Sequence, residues 1–319
     1  MERSNRPKPN SFAPYAALLG VQAFFGSLPV IGKVVLAVIP SMALVGFRVG
    51  ITAIALFLFQ RARGNLRLAD GADYLRLAVL SVFGVTFNQL LFIGGLSLTK
   101  ASNTSLLAVT IPIFTLAVGA AIGTERLRLA KVIGIILAAL GVVFLIDPRN
   151  ASFSSQTTTG DILIVLNSLS YGIYVATSKN VVMRNGALRS ITWIFLFSSL
   201  ICVPLGLYSL SSVGTAAIDV RIWSLILYIA LFATAVPYLL NAWALARVSP
   251  STVAVFVYLQ PVIGFIMAVV FLDEIIDLKF AAAVVLIFAG VFLTMRNPKV
   301  TEQCLQLSNE NIADETGEA

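Results

Sequence analysis

The sequence predicts an all-α membrane protein of ten transmembrane helices, arranged as two inverted five-helix repeats. Three observations carry that reading. Of 319 residues, 58% are hydrophobic and only 12% charged, whereas a soluble chain carries about a quarter charged residues. Ten stretches are apolar and long enough to cross hydrocarbon, which takes about 20 residues at a rise of ~1.5 Å each. A large part of the chain also matches itself at one fixed offset.

In chain order the helices are expected at 14–36, 40–60, 74–98, 102–123, 128–146, 160–182, 189–211, 222–246, 250–272 and 278–296. In lipid a spanning segment must satisfy its own backbone, so each such run is a helix. The polar, basic opening 1–13 precedes an apolar run too long for a signal-peptide core, and that run is expected to stay as an anchor. Joints such as Ala37 to Ile39 and Lys100 to Ala101 are so short that consecutive helices must pack antiparallel. A Ser- and Thr-rich linker, 147–159, divides a first repeat, 14–146, from a second, 160–296. The polar, acidic tail 297–319 is expected to be disordered.

Orientation follows from the basic residues, because cytoplasmic loops carry the excess. With the N-terminus inside, 16 of the 22 Lys and Arg residues fall on the cytoplasmic side and five outside, with Arg48 within the second helix. The expectation is a multi-pass inner-membrane protein with both termini cytoplasmic.

The repeat is visible at an offset of 149, which carries Pro112 to Pro261, Ser102 to Ser251, Glu125 to Glu274, Leu129 to Leu278 and Gly141 to Gly290. A shift of 146 carries Phe25, Gly26 and Lys33 to Tyr171, Gly172 and Lys179. Five helices is an odd number, so the second copy must enter the membrane from the opposite side. The loop charges agree with that. TERLRLAK of the first copy becomes DEIIDLKF in the second, where Arg126, Arg128 and Lys131 are replaced by Ile275, Asp277 and Phe280. Basic residues are thus lost from the copy assigned outside.

Several classes of chemistry are excluded or unsupported. With no His, the chain holds no His-dependent triad, zinc site or imidazole relay. Cys202 and Cys304 form no metal spacing or redox pair. The 22 basic residues are scattered between apolar runs, so the net charge of +7 is a topology signal and no nucleic-acid partner is expected. No cofactor and no metal are expected either.

Polar side chains in hydrocarbon are costly unless they face protein or a wet cavity, so stripes of them mark inner helix faces. The first helix offers Gln22, Gly26, Pro29 and Lys33, and the sixth Asn167, Tyr171, Tyr174 and Ser178. The eighth offers Thr234, Tyr238 and Asn241, the third Asn88 and Gln89, and the ninth Tyr258 and Gln260. Each such group serves either as a hydrogen bond between helices or as cavity lining. Pro112 and Pro261 remove a helix hydrogen bond, which either bares carbonyls to a ligand or only kinks the helix. Lys33 and Lys179 fall toward opposite faces, as gating groups or as side chains snorkelling to headgroups. Arg48 lies ~12 Å into its helix and needs a partner there. Glu125 and Glu274 sit at loop ends, where capping or salt bridges to Arg126 or Lys279 are expected rather than transport chemistry. No acid lies deep in a span, so any coupling group would be an edge residue such as Glu125, Asp147 or Glu274.

Four segments resemble the EamA-type branch of the drug/metabolite transporter superfamily: FGSLPVIGK (25–33), GFRVG (46–50), LSLTKASNTSLLAVTIPIFTLAVGAAIGTERL (96–127) and its echo LARVSPSTVAVFVYLQPVIGFIMAVVFLDEII (245–276). The resemblance spans 14–296, with Phe25 standing where a Trp is common. It implies a lipid-embedded secondary transporter of a small-molecule substrate, amino acids or related metabolites, exported by alternating access about a midplane site. That site is expected to draw on Gln22, Phe25, Arg48, Asn88, Gln89, Asn167, Tyr171, Tyr174, Tyr238, Asn241, Tyr258 and Gln260. An uptake carrier or exchanger for phosphorylated or nucleotide-linked compounds is the alternative, and it would want several cations where only Arg48 is placed. An intramembrane enzyme would need a nucleophile with its base, or paired carboxylates at depth, and a scaffold would not need the polar stripes. The coupling ion and oligomeric state are left open.

Overall fold

The computed structural model describes residues 12–146, 157–211, 219–263 and 278–295. The regular elements are all helices, with no strand among the described residues. The helices are α1 (Ala13–Leu36), α2 (Ser41–Arg63), α3 (Ala72–Ser81), α4 (Asn88–Leu98), α5 (Ala101–Leu107), α6 (Thr110–Ala121), α7 (Leu129–Ile146), α8 (Thr158–Asn185), α9 (Ala187–Ser211), α10 (Val220–Ala230), α11 (Val236–Leu245), α12 (Pro250–Val255) and α13 (Leu278–Met295). The tail, most of the linker, Asp147 and Glu274 lie outside the described residues.

Seven continuous helical runs are long and apolar enough to cross a membrane: Ala13–Leu36, Ser41–Arg63, Ala72–Leu98, Asn103–Ala121, Thr158–Asn185, Ala187–Ser211 and Val220–Leu245. Three shorter apolar helices, Leu129–Leu145, Pro250–Ile263 and Ala281–Met295, stand where the fifth, ninth and tenth spans are expected. Large apolar side chains point outward from the bundle, Leu200 at 72% and Val285 at 67% exposure among them, while Arg48, Gln89, Asn167 and Thr234 are buried inside. A surface of that polarity is stable in hydrocarbon and not in water.

Two pairs of helices are interrupted at matching places. α3 and α4 are joined by a π-turn at Val82–Phe87, and α10 and α11 by another at Leu231–Ala235. Their first residues differ by the repeat offset of 149. The second pair of interruptions follows from the prolines. Pro112 has no N–H for the carbonyl of Ala108, four residues earlier, and Pro261 has none for Val257. The chain leaves the α-helix at those carbonyls, at Ala108–Val109 between α5 and α6 and at Phe256–Leu259, a 3₁₀ turn after α12. Each carbonyl instead accepts a tighter bond, from the N–H of Ile111 and of Gln260 respectively. The breaks therefore sit about one turn before each proline.

Contacts between the halves come in reciprocal pairs. Between α7 and α13, Gly134 lies against Gly290 and Gly141 against Ala283, and the offset of 149 turns the first pair into the second. Between α2 and α9, Gly46 lies against the carbonyl of Cys202, while Thr192 donates to the carbonyl of Leu56 at 3.5 Å; the shift of 146 relates these two. A pattern in which i meets j and the mate of j meets the mate of i is the signature of a two-fold relation. Two hydrogen bonds join residues to their own mates: Gln89 Nε2 donates to the Tyr238 hydroxyl at 3.0 Å, and the Tyr258 hydroxyl donates to Val109 O at 2.8 Å. In a two-fold arrangement of the halves, such bonds would fall on the axis.

Candidate functional site

Both π-turns hold buried residues, and the proline breaks border a central cavity through Ala108 and Val257. A π-turn leaves carbonyls out of the helical ladder, and buried carbonyls need partners. Here they come from side chains on neighbouring helices. Ser170 donates to Phe83 O at 2.8 Å, Tyr238 to Gly84 O at 2.9 Å, Thr52 to Ala230 O at 2.7 Å and Arg48 Nη2 to Ala233 O at 3.1 Å. Gly84 and Ala233 are repeat mates, so equivalent carbonyls are met by a tyrosine in one half and an arginine in the other.

Around these groups lies a cavity of about 80 Å³, with room for a few waters. Eight of the residues expected from sequence line it: Phe25, Arg48, Asn88, Gln89, Asn167, Tyr171, Tyr238 and Gln260. Its wall is completed by Leu28, Phe92, Ile111 and Ile164, and by Ala108 and Val257, the two residues whose carbonyls lose a donor to proline. Tyr238 is the hub, holding Gln89, Asn88 Oδ1 at 2.8 Å and Gly84 O with one hydroxyl. The edge of Phe25 meets its ring at 6.1 Å and that of Phe195 at 5.1 Å. Asn167 Nδ2 donates to Asn88 O at 2.8 Å.

Four expected residues stand behind this wall. Gln22 accepts from Gln260 Nε2 at 2.9 Å, and Asn241 donates to the Tyr171 hydroxyl. Tyr174 packs its ring on Tyr171 at 5.9 Å and against Gly84. Tyr258 is spent on Val109 O. These side chains hold lining residues in place. Pro112 and Pro261 act one turn away, through the carbonyls they release.

Both ends of the bundle carry polar locks. At one end Glu125, 7% exposed, pairs with Lys131 instead of the neighbouring Arg126 expected from sequence. The backbone reverses at Gly123, φ 74°, and carries Glu125 inward while Arg126 stays exposed. Glu125 Oε1 also accepts from the Ser251 N–H at 2.9 Å and its hydroxyl at 3.0 Å, tying the loop after α6 to the start of α12. Lys179, half-buried nearby, donates to Val248 O at 2.8 Å. A second pocket of about 470 Å³ opens here, with Arg126 and Arg128 on its rim. At the other end Asp161, which sequence reading passed over as a helix start, accepts from Thr99 at 2.6 Å and Asn103 at 3.2 Å. Lys33 is half-buried toward that same end. No cluster of His, Cys, Asp and Glu suited to a metal occurs among the described residues.

The sequence model of the EamA-like transporter family matches this chain twice, over residues 13–147 and 158–296. An uncharacterized transporter of Archaeoglobus fulgidus is 26% identical over 231 residues, covering 72% of this chain and 79% of that one. YetK, an uncharacterized transporter of Bacillus subtilis, is 26% identical over 289 residues, 89% of this chain and 87% of its own. A solved crystal structure at 18% identity superposes with a TM-score of 0.71 over 88% of this chain and 96% of its own, a likeness of fold alone. Two family matches that together take in nearly every described helix, on a bundle with an apolar exterior and a polar centre, settle the class: the chain is a multi-pass membrane protein and belongs to the EamA-like transporter family.

Proposed function

We propose that the protein is a secondary transporter that exports small polar metabolites, amino acids or related compounds, by alternating access about the central cavity. The observation that carries the proposal is the placement of that cavity. It is walled by residues of both halves, with hydrogen-bonding groups from α2, α4, α8, α11 and Gln260. A chamber between two related halves is where rocking of one against the other exposes a ligand to each side in turn. Its volume lies below the ~300–1,000 Å³ of an ordinary ligand pocket, so loading requires the halves to part. The locks at Glu125–Ser251 and Asp161–Thr99 sit at the two ends where parting would begin.

Ten spans in two five-helix units of opposite sense are part of this proposal. They are supported by seven long and three shorter apolar helices and by the reciprocal contacts between halves. The charge asymmetry of the loops supports an inner-membrane orientation with both termini cytoplasmic. The export direction and the amino-acid class rest on the family resemblance.

Reconstitution tests the proposal. Purified protein in liposomes is expected to give saturable uptake and counterflow of labelled amino acids. Flux that rises linearly with concentration, or none for a broad metabolite panel, would refute it. Tags on the two termini are expected to be reached from the same side of the membrane.

A further inference from the structure

Arg48 is 2% exposed and lines the central cavity, yet its charge has no acidic counterpart among the described residues. A guanidinium has five N–H donors. Nε donates to the Thr234 hydroxyl and Nη2 to Ala233 O at 3.1 Å, both neutral oxygens. Among the described residues no carboxylate lies within ion-pair distance of it. A buried cation without an anion is strongly disfavoured, and a carboxylate supplied by a ligand relieves it with paired N–H···O bonds. The site offers one positive charge and no more. The repeat mate of Arg48 is Ile194, and the other polar groups lining the cavity are amides and phenols. One carboxylate balances it, whereas a phosphate dianion or a diphosphate would not be balanced.

A second observation comes from another residue lining the same cavity. Gln89, 2% exposed, has its Oε1 buried without a partner among the described residues. The Tyr238 hydroxyl donates its single hydrogen to Gly84 O or Asn88 Oδ1, so the nitrogen of Gln89 must be the side that meets Tyr238. That fixes Oε1 as a free acceptor, suited to an N–H of the ligand. We propose that the central site recognises a zwitterion carrying one carboxylate, with Arg48 binding the carboxylate and Gln89 Oε1 the ammonium group. This rests on the transporter reading and narrows its substrates to those with both groups.

The test uses the full chain in proteoliposomes, with a radiolabelled mixture of the common L-amino acids as the probe. Each amino acid competes as the free acid, as its carboxamide and as its 2-oxo acid. In the wild-type protein the acids are expected to compete better than the carboxamides by about ten- to a hundredfold, the range of one hydrogen-bonded charge. The 2-oxo acids are expected to fall behind as well. Arg48→Gln is expected to abolish the preference for the acid, and Gln89→Leu the preference over the oxo acid. Arg48 also serves the α10–α11 turn, so the wild-type series decides alone if that variant fails to fold. Saturable flux in which carboxamides compete as well as acids overturns the Arg48 assignment and leaves transport standing. Oxo acids competing as well as amino acids overturn the Gln89 assignment. Absence of any saturable flux overturns the transporter reading, and this assignment with it.

Discussion

Gly46 and Gly206 bring α2 and α9 so close that a single methyl group measures the packing. A Cβ on Gly46 would lie 2.8 Å from Gly206 Cα and 3.1 Å from Cys202 O. Carbon atoms rest at about 3.5–4.0 Å, so the helices must part by roughly 0.7–1.2 Å. Overpacking of that kind costs about 1–3 kcal/mol, while replacing a helical Gly by Ala returns up to about 1. Gly46→Ala is therefore expected to lose about 1–2 kcal/mol. Gly20 is the control, because a Cβ there meets nothing within 4 Å. Gly20→Ala keeps the propensity gain with nothing opposing it, so the two variants should move in opposite directions. Once Gly46→Ala has pushed the helices apart, Gly206→Ala should add less than its own single cost, because the two share one contact. Unfolding by SDS titration, followed through the fluorescence of Trp193, Trp223 and Trp243, reads all four proteins. Gly46→Ala as stable as Gly20→Ala, or additive costs in the double variant, would refute the close approach.

Lys131→Met strands the buried Glu125 carboxylate and is expected to cost about 3–5 kcal/mol in the same titration, most of it recovered by adding Glu125→Gln. Tyr238→Phe leaves the contacts of the ring but frees Gly84 O and Gln89 Nε2, a loss of about 1–3 kcal/mol that should come with weaker uptake. Pro112→Ala together with Pro261→Ala returns the missing donors to Ala108 O and Val257 O, so stability should hold or rise while counterflow falls. In a Cys304→Ser background, Cys202 is fully buried and should resist a membrane-permeant maleimide until the protein is denatured, as mass spectrometry would show.

Hydropathy and helical period alone locate the helices to within a few residues and pick out the faces that turn inward. They do not separate a residue that lines a cavity from one that stands behind it. Tyr174 shares a stripe with Tyr171, and Asn241 one with Tyr238, and only the reach of each side chain to a neighbour tells them apart. The π-turns leave no mark in composition, since VFGVTF and LFATA read as ordinary apolar helix. Their role is filled by distant donors, Arg48 and Ser170 among them, which no local pattern foretells. Glu125 shows the same limit. Its nearest basic neighbour in sequence is Arg126, yet the turn at Gly123 hands it to Lys131. The prolines are legible as breakers, whereas the carbonyls whose bonding they change, at Ala108 and Val257, belong to residues with no polar side chain to notice.

The bonds that join Gln89 to Tyr238 and Val109 to Tyr258 differ in kind from every other link between the halves. Suppose the two halves trade shapes, each taking the conformation its partner had. A link between a residue and its own counterpart is then carried onto itself and need not be broken. A link away from that line, such as Glu125 to Ser251, is carried onto a different pair, which in sequence is Glu274 with Ser102. If the halves do exchange shapes, a glutamine, two tyrosines and one carbonyl would form the hinge pin, and the Glu125–Ser251 lock would have to open as they move.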